Sequence, residues 1–201
     1  MKLWLESDTF PSQLTPEEES ARDIMTHLFN PVLKSLLCTS NTLEWVKYGY
    51  NSCRQSAIFG AIYLQKILPN YKIVPYCGVF LEMVDNKPET YEHCFIVASN
   101  GNRNILIDLS RVTHRLLFHK VDKLDYPHCG DYKHVVLLSK QAIDLRAMYY
   151  DDDVLEFFTK RHPQEVMKTI VTYINSLSKL PLDMQKEFSE RIYREFTHFE
   201  K

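Results

Sequence analysis

Two apolar segments, Tyr91–Ser99 and Asn104–Leu109, are separated only by Asn100-Gly101-Asn102-Arg103. This spacing constrains the fold more than any other feature of the chain. An Asn-Gly pair between β-branched runs predicts a hairpin. Side chains alternate across a strand, so the loop length decides which residues share a face. A two-residue Asn100-Gly101 turn sets His93 directly opposite Asp108, and a four-residue loop from Asn100 to Arg103 makes them diagonal neighbours. Either even-length loop leaves both on one face, where directly opposed side chains have Cβ atoms about 4.5–5.5 Å apart. An aspartate within Ile105-Leu106-Ile107-Asp108-Leu109 is costly to bury without a partner. His93 is the nearest one. Taken alone, the pair fits equally a hydrogen bond that merely stabilises the sheet.

The remaining elements read outward from this hairpin. Thr15-Pro16-Glu17-Glu18 has a capping-box start, with proline in the first turn, and predicts a helical stretch to about Leu37. A second helix is expected from Cys53 to Leu68, ended by Pro69. Its Ala57, Ile58, Ala61, Ile62, Leu64 and Leu68 recur at helical spacing, and small Ala57, Gly60 and Ala61 allow close packing. Lys72 to Met83 is β-branched and aromatic and reads as a strand, with Pro75 pointing to an edge position or a bend. Asp85-Asn86-Lys87-Pro88 is a turn, and His134–Leu138 a fourth strand. From Lys140 onward the pattern reads as helical, with stops before Pro163 and Pro181. Asp151-Asp152-Asp153 suits a helix N-terminus better than a metal loop.

At 201 residues, 45% hydrophobic and 25% charged, the chain fits one globular domain, 1–201. It divides into an N-terminal helical part (1–44), a core (45–139) and C-terminal helices (140–201). A formal charge of −2 gives no basic face for nucleic acid. No apolar run reaches the roughly 20 residues that span a bilayer. The opening residues lack the apolar segment of a secretory signal. The five cysteines include no C-x-x-C pair, so free thiols and a cytoplasmic setting are expected, with export lacking a cleaved signal still compatible.

Cys53 carries the chemistry. A thiolate is stabilised by the unpaired N–H groups and dipole of a helix N-terminus, and Asn51 or Ser52 is a natural N-cap just before it. The competing reading is an inert, buried small hydrophobe.

Tyr50-Asn51-Ser52-Cys53-Arg54-Gln55-Ser56-Ala57, followed by Ala61 and Leu64, resembles the cysteine motif of the transglutaminase-like superfamily. His93-Cys94-Phe95-Ile96-Val97 is similar to that family's His-Ala-Trp-Val strand, and Leu106-Ile107-Asp108-Leu109-Ser110 to its Val-Asp-Pro-Thr strand. The order Cys, His, Asp matches over roughly Trp45 to Arg111. Cys94, Phe95 and Leu109-Ser110 depart from the family pattern without touching the triad, and point to a divergent substrate surface. Arylamine acetyltransferases share the order, but their Arg-Gly-Gly-x-Cys signature is absent. The resemblance implies an α+β, papain-like, transglutaminase-like core with the catalytic helix packed on an antiparallel sheet and helices added at both ends. It implies Cys53 as nucleophile, His93 as base and then acid, and Asp108 as orienting group. The Cys53 N–H would be one oxyanion donor, and Trp45 and Tyr48 are candidates to supply another. The implied activity is peptidase, deamidase or transamidase chemistry on a protein or peptide, with no cofactor, metal, nucleic acid or membrane. The alternative is a non-catalytic binding protein that keeps the fold.

His128, Cys129 and His134, with His114 and His119, fit no tetrahedral zinc spacing and read as surface histidines. Cys77 and Cys94 read as strand-packing thiols. The helix around Ile192-Tyr193-Arg194-Glu195-Phe196 packs on the core or on a partner.

Overall fold

A computed structural model describes residues 13–39, 52–84, 87–109, 117–121, 135–150 and 162–198. It is an α+β arrangement built on a five-stranded antiparallel sheet. The strands are β1 (Lys72–Val84), β2 (Lys87–Ser99), β3 (Asn104–Asp108), β4 (Leu117–Val121) and β5 (Val135–Ala142), in spatial order β4-β3-β2-β1-β5. The helices are α1 (Pro16–Ile24), α2 (Asn30–Thr39), α3 (Ser52–Ile67), α4 (Pro163–Leu177) and α5 (Leu182–His198). A π-helical turn, Met25–Phe29, joins α1 to α2.

The strand period of two divides the core. Cys94, Ile96, Ala98, Ile105 and Ile107 face the helices in the main cluster. Phe80, Phe95, Val97, Leu106, Val121 and Val135 form a second cluster on the opposite face. Helix α3 lies against β1 and β2. Gly60 makes that approach possible: a Cβ there would stand 2.5 Å from Leu109 Cδ1 and 3.0 Å from Ile96 Cδ1. The small-residue stripe expected from the sequence is therefore the surface that brings α3 onto the sheet.

The hairpin takes the four-residue form. Pairing runs Ser99↔Asn104, Ala98↔Ile105, Val97↔Leu106, Ile96↔Ile107. Asn100 Oδ1 accepts from the Asn102 and Arg103 N–H groups at 3.2 and 3.0 Å, and Gly101 takes a positive φ of 86°, which glycine adopts without steric cost.

Other expectations are corrected. The first helical stretch is interrupted by the π turn. β2 begins at Lys87 rather than Tyr91, because its exposed first residues need only backbone pairing with β1. The chain is not helical at Lys140: β5 continues to Ala142, pairing with β1 as an edge strand whose polar residues face outward. Leu117–Val121, with no strand expectation, forms the opposite edge. β1 is interior, not an edge. Pro75 fits there because its carbonyl, and hence its missing N–H, points toward β5 just where that ladder ends, at Ile143 N. Pro163 opens α4 at its first turn.

One buried carboxylate ties the N-terminal helix to the hairpin. Glu18 completes the expected capping box with Thr15 and also accepts from Arg103 Nε at 3.0 Å, Arg103 Nη2 at 2.9 Å and Tyr71 Oη at 2.7 Å. Burial alone would raise its pKa, but the Arg103, Thr15 and Tyr71 hydrogen bonds outweigh it and hold the carboxyl below its ordinary value. Glu18→Ala should therefore cost about 2–3 kcal/mol in denaturant unfolding. That is less than for a wholly buried pair, since Arg103 keeps contact with water. A depressed carboxyl pKa stabilises above the unfolded value, so this contribution should vanish as pH falls through the folded one.

Candidate functional site

Cys53 is the second residue of α3, so its sulfur lies in the first turn, where backbone N–H groups lack helical acceptors. It is half-buried. His93 lies on β2 and Asp108 ends β3. His93 Nε2 and Asp108 Oδ2 are 2.7 Å apart, the imidazole nearly buried and the carboxylate fully so. With Nε2 taken by Asp108, Nδ1 is the nitrogen left for Cys53, and the thiol and the imidazole each favour the other's charged form. The structure thus brings Cys53, His93 and Asp108 together. Trp45 and Tyr48 lie outside the described residues, as do Asp151–Asp153, His114, His128, Cys129 and His134. His119 sits on β4.

Strand alternation alone would set Cys53 and His93 on opposite sides of the sheet. Cys53 belongs to the helix-side cluster, whereas His93 shares the other face with Phe80 and Tyr91, ring centroids 6.0 and 6.5 Å away in edge-on contact. They meet because the β2–β3 ladder stops at Ile96↔Ile107. Beyond it β2 is open on that side among the described strands, and α3 packs on β2. The Cys94 N–H has no β3 partner in this ladder, and Cys94 acts on Cys53 through both its backbone and its thiol, favouring the thiolate.

No family model, curated protein or solved structure matches this chain.

The electrostatics follow from these contacts. The Cys94 thiol bond is the largest influence on Cys53. Burial opposes it, and the His93 bond, the His93 charge and the Cys94 N–H together hold the Cys53 thiol well below the ordinary range. For His93, burial lowers the pKa, but the charge and hydrogen bond of Asp108, helped by Cys53, push it up to about 10. Both shifts run in the direction that favours thiolate and imidazolium. Cys53 should be the most rapidly alkylated of the five cysteines at mildly acidic pH, because thiolate is the reactive form. Iodoacetamide labelling mapped by mass spectrometry checks this, and faster labelling of Cys38, Cys77, Cys94 or Cys129 would sink it.

Two features escaped the sequence reading. Cys94 packs in the core as expected, but it also favours the Cys53 thiolate. Its place next to His93 was the available signal. The aromatic walls, Phe80 and Tyr91, follow from a β1–β2 register that pairs Phe80 with Tyr91 and Gly78 with His93. Gly78 leaves the space opposite His93 to the Phe80 ring and Leu137, which a Cβ would meet at 2.9 and 2.7 Å. Among the described residues no three His, Cys, Asp or Glu side chains are grouped to hold a metal ion, and no helix is long and apolar enough to cross a membrane.

Proposed function

We propose that this chain carries out cysteine-dependent acyl chemistry on an amide in a protein or peptide, through a papain-like, transglutaminase-like core. One observation carries the reading: an imidazole held on one side by a buried carboxylate at 2.7 Å and on the other by a thiol in the first turn of a helix. A histidine that only stabilised a sheet would not need the second contact.

The steps follow from general chemistry. The Cys53 thiolate attacks the amide carbonyl carbon, and the oxyanion that forms is met by the backbone N–H of Cys53 at the start of α3. His93 gives its proton to the amide nitrogen, the C–N bond breaks, and the amine leaves a thioester on Cys53. Water or a second amine then attacks the thioester carbonyl while His93 takes its proton, and the thiolate is released. Asp108 keeps the ring aligned and stabilises the imidazolium throughout.

The test is a panel of peptides and glutamine-containing proteins, incubated with and without a primary amine, with products read by mass spectrometry. Wild type should generate cleaved, deamidated or amine-conjugated product. Cys53→Ala should generate none while losing less than about 1.5 kcal/mol of stability, the volume change being small. Product from neither protein would leave the chain as a binding protein, and equal product from both would show that Cys53 is not the nucleophile. If Cys53→Ala unfolds, the cysteine is structural.

A further inference from the structure

A second concave site lies away from the nucleophile, in a groove of about 570 Å³ lined by α3, α4 and a 3-10 turn, Leu145–Tyr149. It arises from how α4 docks. Val166, Ile170 and Ile174 recur every four residues and are buried, and the helix packs on α2 and the π turn. Met167 and Val171, one position further round α4, line the groove instead. The 3-10 turn packs on α3 and supplies the third wall. At the helical rise, Lys66 of this groove stands about 20 Å further along α3 than Cys53.

Each wall contributes apolar surface and one cation. Ile62 and Lys66 come from α3, Met148 and Arg146 from the turn, Met167 and Lys168 from α4. The two methionines are buried and the three cations exposed, which makes an apolar floor beneath a basic rim. Asp144 takes up one of these charges, accepting from Arg146 Nε at 2.8 Å. Among the described residues Lys66 and Lys168 enter no ion pair, and no carboxylate lines the groove. Tyr149 adds a neutral donor. Its hydroxyl accepts from Gln164 Nε2 at 3.1 Å, which leaves its own proton to donate.

We propose that this groove binds a medium-chain aliphatic carboxylate, its chain on the methionine floor and its head group met by Lys66 and Lys168. The volume is that of a pocket enclosing one small ligand. Among the described residues the buried floor holds thioether and aliphatic side chains and no aromatic ring. Nothing there stacks on a flat ligand, whereas methionine adapts to a flexible chain. Charge decides the head group: two ammonium groups that no carboxylate of the groove answers attract an anion, and an alcohol of the same length would leave them unanswered.

The test titrates the full chain with dodecanoate, below its micelle-forming concentration, by isothermal titration calorimetry. One saturable site is expected. Lys66→Gln combined with Lys168→Gln should weaken binding about tenfold, since each exposed ion pair contributes modestly and two are lost. Val171→Trp, which fills the groove from a half-buried position, should abolish it, with circular dichroism checking that each variant folds. Dodecanol carries the chain alone and acetate the charge alone, and each should bind more weakly by the same factor or more. Dodecanoate with a diazirine near its methyl end should crosslink to the groove walls in peptide maps. The proposal is overturned by a wild type that shows no saturation, by dodecanol binding as tightly as dodecanoate, or by unchanged affinity in the double lysine variant. Crosslinks at the exposed Leu180, Leu182 and Met184 would overturn it as well. So would a leucine–glutamate peptide that displaces dodecanoate and binds more tightly, since the occupant would then be a protein. Should Val171→Trp not fold, the lysine variant and the crosslink map decide. None of these readouts involves Cys53, so the result stands apart from the acyl chemistry.

Discussion

Replacing Asp108 with asparagine should leave the fold in place and reduce turnover by about 10⁴-fold, as the equivalent change does in serine triads. Asparagine matches aspartate in shape, so the buried position beside Leu106 and Ile107 stays filled. What changes is charge and proton placement. Asp108 is the largest upward influence on His93, and burial works against it. Without the carboxylate, burial dominates, the imidazole prefers to be neutral, and the Cys53 thiolate loses its cationic partner. The ring also loses the acceptor-only carboxylate that fixes Nε2 as the protonated nitrogen, because an amide can turn its NH2 to the ring and select the other tautomer. Both losses act through the same transition state as the nucleophile, so the effects should be strongly non-additive. Cys53→Ala combined with Asp108→Asn should be no slower than Cys53→Ala alone. The measurement is kcat/KM for Asp108→Asn, and residual product above background for the two proteins carrying Cys53→Ala, on any amide that wild type converts. An Asp108→Asn enzyme within tenfold of wild type would show that the carboxylate is a structural partner only.

The elements most readable from the sequence were those specified by local chemistry. Thr15-Pro16 and Glu18 form the capping box that the residues spell. The apolar period of α3 sets its length to within a residue at each end. His93 and Asp108 share a face because any even-length loop keeps them there. Loop length itself was not readable, since it depends on a distant partner: Arg103 is drawn to buried Glu18, and Asn100 caps the loop backbone. The two edge strands were hidden for a related reason. An edge strand is stabilised by backbone pairing with one neighbour, so Leu117–Val121 and the Ser139–Ala142 end of β5 show little apolar alternation.

Within the site, residue types were legible and their meeting place was not. Strand periodicity assigns Cys94 to the helix side and His93 to the other, and it gives no hint that both act on the Cys53 thiol. That depends on where the β2–β3 ladder ends and on how α3 docks on β2, tertiary events with no local signature. Cys94 read as a packing thiol for the same reason. It does pack, and it also favours the Cys53 thiolate.

His93→Ala should have the largest combined effect of any single change at the site. Asp108 is fully buried, and His93 carries the positive charge opposite it. Removing one partner of a buried ion pair typically costs about 3–5 kcal/mol, so the loss should be visible in urea unfolding at neutral pH. The direction with pH is specific. His93 is raised from an ordinary 6.5 to about 10, so its protonation stabilises fully below the unfolded value, and that contribution is lost as pH rises through the folded one. The stability gap between wild type and His93→Ala should therefore be wide at neutral pH and narrow as pH passes about 10. The thiol gives an independent readout. The His93 hydrogen bond and charge both lower the Cys53 pKa, while the larger Cys94 bond remains in the variant. The alkylation profile of Cys53 should accordingly move toward higher pH without reaching that of an ordinary cysteine. His93→Gln, which retains hydrogen bonding but not charge, should fall between. A His93→Ala profile superimposable on wild type would mean that the imidazole does not influence the sulfur, and the assignment of Cys53, His93 and Asp108 as one catalytic unit would be wrong.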